Sequence, residues 1–208
     1  MPTPSVAIQG DRGSFSDEAA HKLLGRRIRV APCEAFPAAF RSVARGNTHY
    51  CLVPIENTLV GSVYENYDLL LENDLHIVGE VNLRIVHSLI AFPGTTMKNL
   101  RQVYSHPVAL AQCSRFFAAH PHVEKIPAYD TAGSVKMLGG QRIEGAAAIA
   151  SRAAAGVYRA RILRTSKTTM RTTRASCCSP SRRASCCGPT KSPSSFPRAT
   201  CPAHCSSA

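Results

Sequence analysis

The sequence predicts an α/β protein of two lobes, each a sheet flanked by helices. Three observations carry this. Apolar runs of strand length alternate with amphipathic stretches of helix length along residues 5–164. Polar clusters fall at the turns between them. A long alternating segment near residues 76–92 divides the pattern into two groups, as a crossover between lobes does. At 208 residues the chain is long enough to bury a substantial core.

The elements follow in order. SVAIQ (5–9) reads as a short buried strand. A glycine-containing turn leads into a helix that Ser14 or Ser16 can cap, with Glu18 in its first turn. EAFPAAFRSVARG (34–46) reads as a strand-to-helix unit ending at Gly46. HYCLVPIEN is a strand running into a polar turn. GSVYENYDLLLEND is a helix, with Val63, Tyr67, Leu70 and Leu71 expected on one side. LHIVGEVNLRIVHSLIAF reads as a long or bent strand. LRQVYSH is strand to turn, and PVALAQCSRFFAAHP is one helix with Pro107 in its first turn. VEKIPAY is a strand, and DTAGSVKMLGG is a helix capped by Asp130 or Thr131. GAAAIASRAAAGVY is a strand and helix of small residues. This alternation predicts mainly parallel sheets.

Composition changes sharply near residue 165. Residues 1–164 hold 18 Lys+Arg against 13 Asp+Glu, whereas residues 165–208 hold 7 Lys+Arg and no acid. The second part has Met170 and Phe196 as its only large apolar side chains. So little apolar surface cannot offset chain entropy, so 165–208 is expected to be disordered or weakly structured. Cys33, Cys51 and Cys113 are scattered in apolar surroundings, as reduced thiols are, and six of the nine cysteines follow residue 176. No charged leader precedes an apolar stretch, and no apolar run spans a bilayer, so the expected address is the cytoplasm with no membrane partner.

GDRGSFS, IENTLVGSV, YSHP and YDTAGS all lie at strand-to-helix turns. Ligands of open α/β sheets bind outside the carboxyl ends of strands, where helix N-termini favour anions. The residues thus predict a cleft for a small anionic ligand. An enzyme and a non-catalytic small-anion-binding module both satisfy this.

The turns also resemble a known family. VPIENTLVGSV (53–63), IVGEVNLRIVHSLI (77–90), VYSHPVALAQCSRFF (103–117) and DTAGSVK (130–136) are similar to motifs of the prephenate dehydratases. VAIQGDRGSFSDEAA (6–20) resembles the family's opening, and AAAIASRAAAGVY (146–158) its last helix before the catalytic signature. The resemblance implies a two-lobed fold like the type II periplasmic binding proteins, over residues 1–164. It implies conversion of prephenate to phenylpyruvate, with loss of water and CO2, in L-phenylalanine biosynthesis. No metal or organic cofactor is required for that step. The implied partner is the small-molecule substrate, with no specific nucleic acid, and an intact family member is a homodimer or homotetramer. Arogenate dehydratases share these motifs and remain an alternative.

Carried over by motif, Glu56, Asn57 and Thr58 border the cleft, and Gly61 and Ser62 let backbone approach the ligand. Ser105, His106 and Gln112 position substrate, while Asp130, Thr131 and Ala132 present a hydroxyl and N–H groups from the other lobe. Several have plainer roles open to them: Glu56 and Asn57 as turn or cap residues, Ser105 as an N-cap, His106 as a structural residue before Pro, Gln112 as a solvated helix residue. The family pattern continues with Thr-Arg-Phe, whose threonine assists departure of the hydroxyl, and then a phenylalanine-binding regulatory domain. Here Thr173-Arg174-Ala175 departs from that pattern. No catalytic residue is therefore assigned, and this chain is expected to be impaired, to lack feedback by phenylalanine and to be less stable for want of a returning strand.

The genetic code suggests a reason. Joining the last base of each codon after about residue 164 to the first two bases of the next turns Cys177-Cys178 and Cys186-Cys187 into leucine codons. It permits Thr-Arg-Phe between Thr173 and Ser176. The tail then reads as out-of-frame sequence. A metal site fits poorly, because Cys-Cys-x7-Cys-Cys is not the spacing of common zinc modules. Nucleic-acid affinity of so basic a tail is expected to be incidental.

Overall fold

The computed structural model describes residues 3–58, 61–165 and 172–180. In chain order the first elements are β1 (Ser5–Gln9), α1 (Phe15–Leu24), β2 (Arg29–Cys33), α2 (Phe36–Ala44), β3 (Tyr50–Asn57), β4 (Gly61–Ser62), α3 (Tyr64–Glu72) and β5 (His76–Arg84). Then come β6 (Ser88–Ala91), β7 (Gln102–Ser105), α4 (Pro107–Gln112), α5 (Ser114–Ala119), β8 (Glu124–Pro127), α6 (Thr131–Gln141), β9 (Ala146–Ala150), α7 (Arg152–Val157) and β10 (Arg161–Thr165). β11 (Thr172–Ser179) closes the series.

The strands form two sheets, one per lobe. The first has the order β2-β1-β3-β11-β5, with β4 paired to β3, and the second β10-β6-β9-β7-β8. The chain crosses between lobes at residues 85–87 and again after β10. β1, β2 and β3 run parallel, as do β7, β8 and β9. The sheets are mixed rather than mainly parallel, because β6 and β10 pair antiparallel in one and β11 in the other. β6 and β11 each enter their sheet from a crossover, whereas β10 follows α7 within its own lobe.

Apolar clusters cover both faces of each sheet. On one face of the first sheet, Phe40 and Val43 of α2 and Leu69 and Leu70 of α3 pack on Cys51, Val53 and Cys178. On the other face, Ala19 and Ala20 of α1 pack on Val6, Ile8, Leu52 and Val81. Phe40 is fully buried, worth on the order of 2–3 kcal/mol. The second lobe repeats this plan around Leu110, Phe117 and Val103 on one side and Val135, Leu138 and Ala148 on the other.

Local signals placed most elements correctly. Ser14 caps α1 by accepting from the Asp17 N–H at 3.3 Å, and Asp130 caps α6 by accepting from the Gly133 N–H at 2.9 Å. Pro107 opens α4, and Gly46, at φ +73°, closes the turn after α2. Other expectations change. The helix expected over 107–121 divides into α4 and α5 at Cys113, and the long strand divides into β5 and β6 in different sheets. On α3 the buried residues are Asn66, Leu69 and Leu70, while Leu71 is 83% exposed. The strand before α2 is β2, at the sheet edge, where Pro32 is tolerated.

The largest departure is β11. Residues 172–179 form a central strand rather than part of a disordered tail. β11 pairs with β3 through Thr173↔Asn57 to Cys178↔Cys51, and with β5 through Thr172↔Arg84 to Ser179↔His76. Ala175, Ser176, Cys177, Cys178 and Ser179 are all buried. β3 and β5 each present a row of N–H and C=O groups to the slot between them, and a strand there satisfies both rows. The expected loss of the returning strand is therefore corrected. Residues 181–208, including Cys186-Cys187, lie outside the described residues.

Candidate active site

A cavity of about 480 Å³ opens between the lobes, a size common for small-molecule sites. The first lobe contributes Ser14, Phe15 and Ser16 at the start of α1, Ala35 and Phe36 at the start of α2, and Val63 and Glu65 at the start of α3. Asn57, Thr173 and Ala175 form its floor between β3 and β11. The second lobe contributes His106 and Val108 at the start of α4, Gln112 at its end, and Tyr129, Asp130 and Thr131 at the start of α6. His87 sits at the crossover.

Five helix N-termini thus face one cavity, those of α1, α2, α3, α4 and α6. Their partial positive charge favours an anion. At α2 and α3 the preceding residues, Ala35 and Val63, supply no side-chain cap. Among the described lining residues there is no Lys or Arg, whereas Glu34, Glu65 and Asp130 are carboxylates. The groups of the described lining that can receive an anion are helix ends and neutral donors.

The polar floor is well organised. The Asn57 amide donates to Thr173 Oγ1 at 3.0 Å across the β3–β11 pair. A hydroxyl that accepts this bond keeps its own hydrogen to donate elsewhere. His87 Nε2 lies 2.7 Å from Gln112 Oε1, joining the crossover to α4, and the Phe15 ring packs edge-on to His87. His106 caps α4, its Nδ1 accepting from the Val108 N–H at 3.3 Å.

Of the residues expected from sequence, Asn57, His106, Gln112, Asp130 and Thr131 line the cavity. Ser105 does not. It is fully buried and its hydroxyl donates to the Ile149 carbonyl at 2.6 Å, stitching β7 to β9. Ala132 is packed in the α6 core cluster. Glu56, Thr58, Gly61 and Ser62 are exposed and outside the lining; Glu56 points to the face of β3 opposite Asn57. Ser14, Ser16, Tyr129 and His87 were not singled out as site residues. Their signal was positional, since the first three sit at helix starts that follow strands. Thr173 carries no local signal of this kind.

Charge at the cleft edge is tuned by contacts between lobes. Burial pushes the Asp11 carboxyl up, but the Tyr129 hydroxyl and the Lys136 ammonium together hold it below the usual carboxylate range. Burial and the Asp11 contact push the Tyr129 hydroxyl up. Tyr158 is half-buried near Asp11 and Asp130, and partial burial with those carboxylates pushes its hydroxyl up to about 12. In the first-lobe core the Cys178 thiol and burial raise Cys51, which suits an inert thiol. Among the described residues no cluster of three or more metal-ligating side chains occurs, and no helix is long and apolar enough to cross a membrane.

A two-lobed α/β scaffold with a cleft ringed by helix N-termini defines the class. The family model for prephenate dehydratase matches residues 6–174, and the chain belongs to that family. A relative named arogenate dehydratase/prephenate dehydratase 2, chloroplastic, from Arabidopsis thaliana is 44% identical over 74% of this chain and 40% of its own length. Arogenate dehydratase 2 of Petunia hybrida is 44% identical over 76% of this chain and 40% of its own length. This chain therefore spans about 40% of the length of the curated relatives it matches. Among solved structures, a prephenate dehydratase from Arthrobacter aurescens in complex with L-Phe superposes with a TM-score of 0.75 at 25% identity, covering 84% of this chain and 60% of that one. A quorum-quenching acylase, GqqA, superposes with a TM-score of 0.77 at 31% identity, covering 86% of this chain and 65% of that one. The expected cytoplasmic address is corrected by the relatives, several of which are named as chloroplastic.

Proposed function

We propose that the cleft carries out the decarboxylating dehydration of a prephenate-type substrate. The observation that carries the reading is the Asn57–Thr173 pair on the floor of a cavity ringed by helix N-termini. In this reaction the ring carboxylate leaves as CO2, its bonding electrons aromatise the ring, and the ring hydroxyl departs and takes up a proton as water. Helix ends hold the substrate's carboxylates. Asn57 orients Thr173, whose hydroxyl hydrogen-bonds to the departing oxygen as negative charge grows there. Enclosure between the lobes excludes bulk water. Phenylpyruvate formation from prephenate by the purified chain, abolished in Asn57→Ala, tests this; equal rates with and without Asn57 would sink it.

A second reading, arogenate dehydratase, has its own support in the lining charge. Prephenate brings two carboxylates, whereas arogenate adds an ammonium. With three carboxylates and no Lys or Arg among the described lining residues, the amino substrate is the better electrostatic match. Steady-state kcat/KM on both substrates separates the readings.

The proposal includes weakened turnover. Ala175 follows Thr173-Arg174 where the family pattern has phenylalanine, and it is 4% exposed beside the cavity. The buried positions of β11 hold Ser and Cys where the shifted coding frame requires one leucine, at Cys177-Cys178, and permits other large apolar residues, which supports the frameshift reading. DNA covering codons 155–208 tests it, and a stop codon in the shifted frame would rule it out.

A further inference from the structure

Outside the reaction floor, a polar tie crosses from one lobe to the other at a single first-lobe loop. The Asp11 carboxylate accepts from the Tyr129 hydroxyl and, at 2.9 Å, from Lys136 Nζ of α6. Its backbone N–H donates to Asp130 Oδ2 at 3.0 Å. Asp130 is at once the cap of α6 and a cavity residue, flanked by Tyr129 and Thr131 in the same lining. One aspartate therefore holds three groups of the opposite lobe, and two of them belong to the cavity wall.

The surrounding backbone is shaped for this contact. Gly10 has φ +94°, and a Cβ there would lie 2.9 Å from Asp130 Oδ1. Gly13 has φ +82°, and a Cβ there would lie 2.7 Å from Ala154 Cα on α7. The Gly13 carbonyl accepts from Ser151 Oγ at 2.6 Å, and its N–H donates to Asp17 Oδ2 at 2.7 Å. The loop is thus seated against the starts of α6 and α7 at two points where only glycine fits. The Asp11 side chain is 13% exposed and the Lys136 side chain 59% exposed. The ion pair alone is weak at that exposure, and the grip comes from the tyrosine and backbone bonds acting with it.

We propose that Asp11 is a positioning residue for the dehydratase cleft, holding Tyr129, Asp130 and Thr131 at a fixed separation from the Asn57–Thr173 floor. This rests on the proposed function for its catalytic meaning, but the tie itself is independent of the reaction. Lobe separation sets whether donors from both lobes reach one substrate. Loosening it weakens binding before it alters the bond-breaking step.

The test uses the full chain with Asp11→Asn, Lys136→Met, the double variant and Asp11→Glu. Amide hydrogen exchange over 10–14 and 129–134 is measured without ligand. Phenylpyruvate binding is measured by calorimetry, and KM and kcat with prephenate. Asp11→Asn is expected to speed exchange in both segments about tenfold and to weaken phenylpyruvate binding and raise KM by a similar factor, leaving kcat within about twofold. Lys136→Met has a smaller effect, the double variant is no worse than Asp11→Asn, and Asp11→Glu recovers part of the loss, as members of one network do. Unchanged exchange in Asp11→Asn overturns the tie. Faster exchange with unchanged phenylpyruvate affinity overturns the positioning role. A parent chain that binds neither ligand while exchange still responds to Asp11 overturns the dehydratase reading and leaves the tie standing.

Discussion

Placing an aspartate at position 178 distinguishes a central strand from a disordered tail. Cys178 is fully buried, in register with Cys51 of β3 and Ile77 of β5, and packed with Phe40, Val43, Leu69 and Leu75. A carboxyl group at this position meets apolar side chains and already paired backbone. Whether it stays charged or takes up a proton, its desolvation costs about 3–5 kcal/mol. Domains are typically stable by about 5–15 kcal/mol, so the loss is a large fraction. For a chain of this size it corresponds to a fall in Tm of about 6–20 °C. Leu71→Asp is the control, since Leu71 is 83% exposed on α3 and the change should cost at most about 0.5 kcal/mol. Urea unfolding and scanning calorimetry of both variants give the comparison. If Cys178→Asp is no more destabilising than Leu71→Asp, β11 is not part of the sheet and the account of the floor fails with it. Cys178→Ser, milder in volume and charge, extends the series if the aspartate variant does not fold.

Other outcomes follow from single contacts. Thr173→Val keeps the side-chain shape and removes the hydroxyl; kcat should fall by about 10²-fold or more, with stability lowered by about 1 kcal/mol and phenylpyruvate binding little changed. Glu65→Gln removes a carboxylate from the cavity rim, and the ratio of kcat/KM for arogenate over prephenate should drop by about three- to tenfold; an unchanged ratio would show that the rim charge does not select the ammonium. Ser105→Ala should cost about 1–3 kcal/mol in unfolding experiments while kcat stays within about twofold, because its hydroxyl serves the sheet. Asp11 is held below its usual range, so its stabilising contribution is present above the ordinary value of 3.8 and disappears as pH falls through the lowered one. The acid limb of the stability profile should flatten there in Asp11→Asn, as read by urea unfolding across pH.

Much of the cleft was legible because its signals are local. A cap reaches its partner two or three residues on, so Ser14 and Asp130 announce helix starts in the sequence itself. Strand-to-helix turns then put Asn57, His106 and Thr131 near the cavity without any knowledge of packing. Local signals fail where a residue can face two ways. Ser105 sits at the right turn but faces the neighbouring strand, where the Ile149 carbonyl takes its hydroxyl. The face of α3 was misjudged for a related reason: Asn66 is buried because it donates to the Pro54 carbonyl, which no apolar periodicity reveals.

By itself the sequence determined the family, the two-lobe alternation and the helix ends that ring the cleft, since each depends on residues close together in the chain. Only the tertiary structure decided the role of Thr172–Ser179. Those residues hold Thr, Arg, Ala, Ser and Cys, too little apolar surface to predict a buried strand. The slot between β3 and β5 supplies the missing drive, because a strand there pairs both ladders and is covered by helices that other parts of the chain have already placed. That long-range vacancy sets Thr173 opposite Asn57, some 116 residues away in the chain. The Asp11 tie has the same origin, since its partners lie more than 100 residues away and meet it only when the lobes do.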